Sequence, residues 1–441
     1  MLPITLDQWL SFQQRQHALP IALGLERVRS VWQALGAPRP AARVVTVGGT
    51  NGKGSTVAYL EAMLQARGLH VGAFTSPHLL RYNERVRVAG REVEDAALCE
   101  AFLRIEQARS GTALTYFEYG TLAALLLFAR SALDVAVLEV GLGGRLDAVN
   151  IIDADAAIVT TIGIDHVEYL GADRDGIGRE KAGIARAGRP LVLGSREMPA
   201  GLLHAARQRG AQVWRLGADF DIRPLARGWC WSVPDVQSCA ASGGSRMRLD
   251  LPALPLAGPH QCDNAAAALA ALWTLRGTLG WTPQAYVDGL ARTRLPGRLQ
   301  SLGGTPELIV DVAHNAQAAA ELAAWLDAQP RRTTHAVFSA LADKDIAAIG
   351  AILAGRIAHW HLCAIRDAGA RGLDAAAVAA RLSVQVPPQH CSLHDDAGAA
   401  LAAARAALPA DGRILAFGSF HVAGAVLALP AARPAPQPRA L

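Results

Sequence analysis

The 441-residue sequence is short of several features that would commit it to a class. Its six cysteines (Cys99, Cys230, Cys239, Cys262, Cys363 and Cys391) form no C-x-x-C pair. That argues against a zinc site or a disulfide framework and for reduced thiols in a cytosolic protein. No run of basic residues is interleaved with aromatics, and 43 Lys+Arg against 38 Asp+Glu leave a net charge of only +5. Such a balance suits anionic small substrates without pointing to nucleic acid. The longest apolar run, near "TLAALLLFA", is far too short to span a bilayer. The opening "MLPITLDQWLSFQQRQ" has neither the basic start nor the apolar core of a secretion signal. Aromatics are scarce, at 5%, and alanine is abundant, which suggests helices packed closely on sheets. The expectation is a cytoplasmic, monomeric protein with neither a nucleic-acid nor a membrane partner.

What is present is alternation. "ARVVTVGG", "HVGAFTS", "LDVAVLEVG" and "AAIVTTIG" read as buried strands, and "TLAALLLFARS" reads as a buried helix between two of them. This pattern predicts an α/β fold built on a doubly wound, mostly parallel sheet. Residues 219–256 change character and suggest a small antiparallel insertion, followed by a helix from Asn264 to Leu275. Pro296-Gly297 breaks the pattern and reads as a hinge. Beyond it, "ELIVDVAHN", "THAVFSAL", "AHWHLCAI" and "GRILAFGSF" restart the alternation as a smaller, Rossmann-like α/β domain. The domains are expected at 1–295 and 296–429, with 430–441 a disordered, Pro/Ala-rich tail.

In open α/β sheets ligands bind beyond the carboxyl ends of strands, and here those ends carry polar residues and glycines. The first strand runs into "VGGTNGKGST", which fails the common phosphate-loop spacing: Val47 stands where the first glycine belongs and Gly54 where the hydroxyl belongs. A strand, a glycine loop with a central Lys53 and a following helix still predict a phosphate cradle. Gly52 and Gly54 are expected to permit positive φ and close approach, with Ser55 or Thr56 reaching phosphate or metal. The second strand delivers Ser76. The third buries Glu139, a carboxylate that needs either a magnesium ion or a salt bridge, for instance to Arg145. The fourth delivers Asp165 and His166. The second domain delivers Asp311, His314, Asn315, Ser419 and His421. Taken singly, His166 reads as a core histidine and Lys181 as a solvated helix lysine.

At "GTNGKGST", "TSPHLLRYNERVRV", "TYFEYGTLAAL", "LEVGLGGRLDAVN", "TTIGIDHVEYLG", "IGREKAGI", "LPGRLQ", "DVAHNAQAAAEL", "DKD" and "FGSFH" the sequence resembles the bacterial dihydrofolate synthase/folylpolyglutamate synthases, folate-specific members of the Mur ligase superfamily. G-T-N-G-K-G-S/T is that superfamily's own phosphate loop. The resemblance implies ATP contacts at Asn51, Gly52, Lys53, Gly54, Ser55, Thr56, Asn264, Arg298 and Asp311. It implies one magnesium ion on Ser76 and Glu139 and a second on His166 and a carbamylated Lys181, with Lys53, His166 and Lys181 serving catalysis and a monovalent cation as a further possibility. Phe117, Glu118, Tyr119 and Gly120 with Arg145, Leu146 and Asp147 match the dihydropteroate pocket. His314, Ser419 and His421 lie where the second domain would take glutamate. Val149, Ala316 and Gln317 depart from the family pattern, which often has Thr at the first and Pro-His at the other two.

The implied reaction joins L-glutamate to dihydropteroate and to reduced folates through an acyl phosphate, with ATP as co-substrate. Three alternatives stand beside it. One is extension of the glutamate chain alone. Another is a Mur ligase acting on a peptidoglycan precursor, for which no separate N-terminal nucleotide-sugar domain fits ahead of residue 48. The last is a P-loop switch ATPase.

Overall fold

The structure, a computed structural model, describes residues 2–234 and 246–430. The expected disordered tail, from residue 431 on, and Cys239 lie outside the described residues.

The first lobe is organised by an eight-stranded sheet in the order β4-β3-β2-β5-β1-β6-β7-β8. Its strands are β1 (Arg43–Gly48), β2 (Val71–Phe74), β3 (Val86–Val88), β4 (Arg91–Glu92), β5 (Val135–Glu139), β6 (Ala156–Val159), β7 (Pro190–Leu193) and β8 (Gln212–Arg215). The six strands β2, β5, β1, β6, β7 and β8 run parallel, while β3 pairs antiparallel with β2 and β4 antiparallel with β3. β1, "RVVTVG", is buried from Val44 onward, as a strand covered on both faces requires. One face packs against the helices Leu6–Gln13, Asp95–Ala108 and Tyr116–Ala129. The other packs against Lys53–Ala66 and Gln261–Thr274. Helix Tyr116–Ala129 is apolar nearly all round, because it is sealed between the sheet and the N-terminal helices.

The change of character at 219–256 is a three-stranded antiparallel sheet of β9 (Asp221–Pro224), β10 (Trp229–Pro234) and β11 (Arg246–Leu251). It is pinned to the lobe by Trp231, whose ring stacks on Trp281 with centroids 5.7 Å apart.

Helix Pro283–Arg292 is the last element of the first lobe, and the chain crosses over through residues 293–299, where Gly297 takes φ +69°. The second lobe has a six-stranded sheet ordered β12-β13-β17-β14-β15-β16. Its strands are β12 (Gln300–Gly303), β13 (Glu307–Val310), β14 (Thr334–Phe338), β15 (His359–Cys363), β16 (Cys391–His394) and β17 (Arg413–Phe417), and β12 alone is antiparallel. Apolar clusters cover both faces of this sheet too.

Both sheets thus aim the carboxyl ends of their parallel strands at one cleft. In the first sheet β1 lies between β5 and β6, so the chain leaves it at the point where strand order reverses and a crevice opens.

Three sequence readings need correction. The helix expected from Asn264 begins at Gln261. The one expected from Thr121 begins at Tyr116, capped by the Thr115 hydroxyl, which puts Phe117, Glu118, Tyr119 and Gly120 in its first turns. Gly54 is helical rather than left-handed, and only Gly52 of the pair takes positive φ, at +86°.

Candidate active site

A cleft of about 1110 Å³ lies between the lobes, lined by the phosphate loop, the ends of β2, β5 and β6, and residues 298–322 and 418–428 of the second lobe. At Gly52 the chain turns left-handed to start helix Lys53–Ala66, whose first-turn amides face the loop. A Cβ on Gly52 would lie 2.3 Å from Asn264 Oδ1, so only glycine fits there. At Gly54 the constraint is approach, since a Cβ would already touch the Arg298 guanidinium at 3.4 Å.

Two lysines, Lys53 half-buried and Lys181 buried, converge on one carbonyl. Lys53 Nζ donates to the Gly49 and Thr50 carbonyls at 3.1 Å, and Lys181 Nζ donates to Gly49 O at 2.9 Å. Neither has a carboxylate at ion-pair distance among the described residues. Burial lowers the pKa of both, and the nearby Lys53 ammonium helps bring Lys181 down to about 7. Two lysine side chains with no directly paired carboxylate, with Glu139, Asp165 and Asp147 acting on them only from further off, form a socket for an anion.

Glu139 ends β5 beside them, 4% exposed. It accepts the Ser76 N–H at 3.2 Å and has no ion-pair partner among the described residues. Arg145, the alternative partner, is turned away to Glu180 at 2.8 Å. Burial raises the Glu139 pKa, with Lys53 the largest opposing charge. A buried, unpaired carboxylate next to a serine is the donor set a hard cation takes. Among the described residues no three His, Cys, Asp or Glu groups stand at metal-ligand spacing, so an ion here would complete its shell with hydroxyl, phosphate or water oxygens. His166 lines the cleft in the left-handed region, at φ +52°, and burial followed by the Lys344 charge lowers its pKa to about 4. Its imidazole is therefore neutral, with a lone pair available.

On the opposite wall, Phe117 and Leu146 line the cleft. Gly141 passes so close to the Phe117 ring that a Cβ there would lie 2.6 Å from it. Asp147 is buried and accepts the Leu142 and Val149 amides at 2.8 and 3.0 Å, and burial lifts its pKa to about 6. Glu118 lines the cleft, but its carboxylate is spent on the Thr115 amide at 2.7 Å and on Arg27 at 3.0 Å.

Four expected residues do not reach the cleft. The Thr56 hydroxyl donates to Gly52 O inside its own helix. The Tyr119 hydroxyl donates to Glu106 at 2.7 Å. Gly120 faces Tyr82, and Arg145 faces Glu180. Asn51, Ser55, Ser76, Asn264, Arg298, Asp311, His314, Ser419 and His421 do line it. The Ser419 hydroxyl is occupied, however, accepting the Val422 amide at 3.1 Å as a helix cap. Asp311 accepts the Leu299 and Ala313 amides, each at 2.7 Å, which fixes the hinge strand against the second lobe.

The structure adds residues that the sequence reading did not assign to the site. Lys344 of the second lobe is 8% exposed and pairs with Asp165 of the first at 2.5 Å. Burial opposes the Asp165 charge, but the His314 hydrogen bond and Lys344 outweigh it and hold that carboxyl well below the usual range. Arg85 lines the cleft, donating to His78 Nδ1 at 2.8 Å with its guanidinium 5.5 Å from the Tyr116 ring centroid. The motif "DKD" was the one signal for Lys344; for Arg85 the signal lay in "RYNERVRV".

Two α/β lobes meeting over a phosphate loop, with an unpaired acid at its floor and a second-lobe lysine across the cleft, define a nucleotide-dependent ligase of the Mur type. The Mur ligase middle-domain model matches residues 47–272, and the Mur ligase glutamate-ligase-domain model matches 297–420. The chain is 43% identical to the dihydrofolate synthase/folylpolyglutamate synthase of Escherichia coli over 423 residues, 96% of this chain and 94% of that one. Among solved structures it resembles E. coli FolC in complex with DHPP and ADP, with a TM-score of 0.88 and 42% identity over 96% of this chain and 97% of that one. It also resembles the Yersinia pestis bifunctional enzyme complexed with AMPPNP and a Mn ion, with a TM-score of 0.86 and 40% identity over 97% and 99%. The chain belongs to the Mur ligase family, in its dihydrofolate synthase/folylpolyglutamate synthase branch.

Proposed function

We propose that this chain uses ATP to join L-glutamate to 7,8-dihydropteroate, giving dihydrofolate, and to the glutamate tail of reduced folates. The observation that carries this reading is the continuity of one cleft from the Lys53–Lys181 anion socket to the Phe117 wall and across to the second lobe. Support comes from the relatives, whose printed names give both synthase activities and whose structures hold DHPP, ADP, AMPPNP, Mn and L-glutamate.

A carboxylate and an amine do not condense in water, because the carboxylate is a poor electrophile. In the proposed sequence the substrate carboxylate oxygen attacks the γ-phosphorus and the bond to the β-phosphate oxygen breaks, leaving ADP. The glutamate amine then attacks the acyl carbon, loses a proton, and inorganic phosphate departs. Lys53 and the amides of the first turn of its helix hold the phosphates and neutralise charge spreading over the transferring group. Arg298 and Asp311 reach the nucleotide from the hinge and the second lobe, with Asn264 beneath the loop. Phe117, Leu146 and Asp147 hold the pterin side, while His314 and His421 face the incoming glutamate. Divalent ions, held by Glu139 with Ser76 and by His166 with a carbamylated Lys181, would supply further charge neutralisation when bound. A lysine brought to about 7 keeps a neutral amine available for that carbamate at neutral pH. The closed lobes exclude water from the acyl phosphate.

We further place the enzyme in the cytoplasm as a monomer. Among the described residues no helix is long and apolar enough to cross a membrane. The test is Lys53→Ala: glutamate-dependent phosphate release should vanish while the fold melts as before, and full activity in that variant would sink the assignment.

A further inference from the structure

The lobes are tied together at the phosphate loop by side-chain amides. Asn51, just before Gly52, has its backbone fixed by the first lobe: its N–H donates to Thr161 Oγ1 at 3.1 Å, and its carbonyl accepts the Thr160 hydroxyl at 2.5 Å. Its side chain points the other way, into the second lobe. Asn51 Nδ2 donates to Asn315 Oδ1 and to Gln317 Oε1, both at 3.0 Å, and Asn51 Oδ1 accepts Asn315 Nδ2 at 3.0 Å.

The orientation of these amides follows from their neighbours. Asn315 Oδ1 also accepts the Ala318 amide at 2.9 Å, capping helix Ala316–Ala328, and its Nδ2 also donates to Asp165 at 3.0 Å. With Asn315 turned that way, Asn51 has only its Nδ2 left to give, and Gln317 must present its oxygen. Thr161 Oγ1 lies 3.4 Å from that same oxygen. Gly163 lets the chain pass beneath, since a Cβ there would sit 2.5 Å from Gln317 Oε1.

We propose that Gln317 is a positioning residue that fixes the phosphate loop from the second lobe, acting through the Asn51 side chain. The inference rests on the nucleotide-binding part of the proposed function. Lobe closure and the shape of the loop are then one event: when the second lobe docks, Gln317 and Asn315 hold Asn51, and Asn51 sets the left-handed turn at Gly52 that presents Lys53. Asn315 is also a helix cap and a partner of Asp165, so its loss would perturb more than the loop. Gln317 is half-buried and makes its contacts across the lobe junction.

The test measures AMPPNP affinity by calorimetry on the intact chain, alongside kcat and KM for ATP. Losing one neutral hydrogen bond should weaken AMPPNP binding about threefold to tenfold in Gln317→Ala, raise KM for ATP by a similar factor, and move kcat less. Gln317→His retains a ring-nitrogen acceptor and should recover most of the loss. The double variant Asn51→Ala/Gln317→Ala should bind AMPPNP no more weakly than Asn51→Ala alone. Wild-type affinity in Gln317→Ala, or full additivity in the double variant, overturns the proposal. Absence of glutamate ligation in the wild type would instead refute the ligase reading, because the nucleotide affinities do not depend on it.

Discussion

Glu139→Gln separates the two roles that a buried acid can have. The substitution keeps the shape of the side chain and an oxygen to accept the Ser76 amide, and it removes only the charge. Glu139 is 4% exposed, has no ion-pair partner among the described residues, and has its pKa raised by burial. If the acid served only the fold, a neutral amide would be expected to lower stability and leave the turnover of the folded enzyme alone. If it is held unpaired for a cation and the transferring phosphoryl group, turnover should fall while stability holds or rises. The desolvation penalty of a lone buried carboxylate is several kcal/mol, partly offset here by Lys53. Removing one preorganised charge-stabilising group typically costs about 10²–10³ in kcat, roughly 2.7–4 kcal/mol of barrier. The assay is glutamate-dependent phosphate release across a divalent-ion titration, paired with a thermal melt. The expected result is a hundredfold or greater loss, a higher metal requirement, and a Tm no lower than that of the wild type. Wild-type turnover with an unshifted metal requirement would refute the reasoning.

The second lobe carries a histidine cluster away from the cleft: His335 Nδ1 lies 3.1 Å from His361 Nε2, and Ser392 Oγ lies within 3.2 Å of ring nitrogens from His359, His361 and His394. Burial and then mutual repulsion lower the pKa of His335, His359 and His361, the last to about 3, while burial alone lowers that of His394. Each folded histidine binds protons more weakly than its unfolded counterpart, so this stability is fully present above about pH 6.5 and is lost as pH falls toward 3. Denaturant unfolding followed from pH 7 to 5 should show the loss, and His361→Asn should flatten it; an unchanged slope would contradict the account. For Lys181, intact mass should show one added carbon dioxide in bicarbonate buffer, and Lys181→Ala should lose turnover. A fully active enzyme without the adduct would remove the carbamate from the scheme.

Much of the architecture was legible because buried parallel strands are continuous apolar runs and because glycines and polar residues mark their carboxyl ends. "RVVTVG" and "VAVLE" announce themselves. β16, "CSLH", does not: it is a half-exposed edge strand with no such run. Proximity in sequence also misled at Tyr119 and Gly120. Successive helix residues turn by about 100°, so Phe117 faces the cleft while the Tyr119 hydroxyl reaches Glu106 on a neighbouring helix. The pairings of Lys344 and Gln317 became visible only in three dimensions. Their partners Asp165 and Asn51 lie 179 and 266 positions away, and no local pattern encodes a pairing across a lobe junction.

The most direct test of the central claim supplies ATP with dihydropteroate or with tetrahydrofolate, each with and without L-glutamate, and follows phosphate release together with the folate product. The account predicts phosphate release only when a folate acid and glutamate are both present, with dihydrofolate formed from dihydropteroate and a lengthened glutamate tail from tetrahydrofolate. Sustained ATP hydrolysis that is indifferent to both would contradict it.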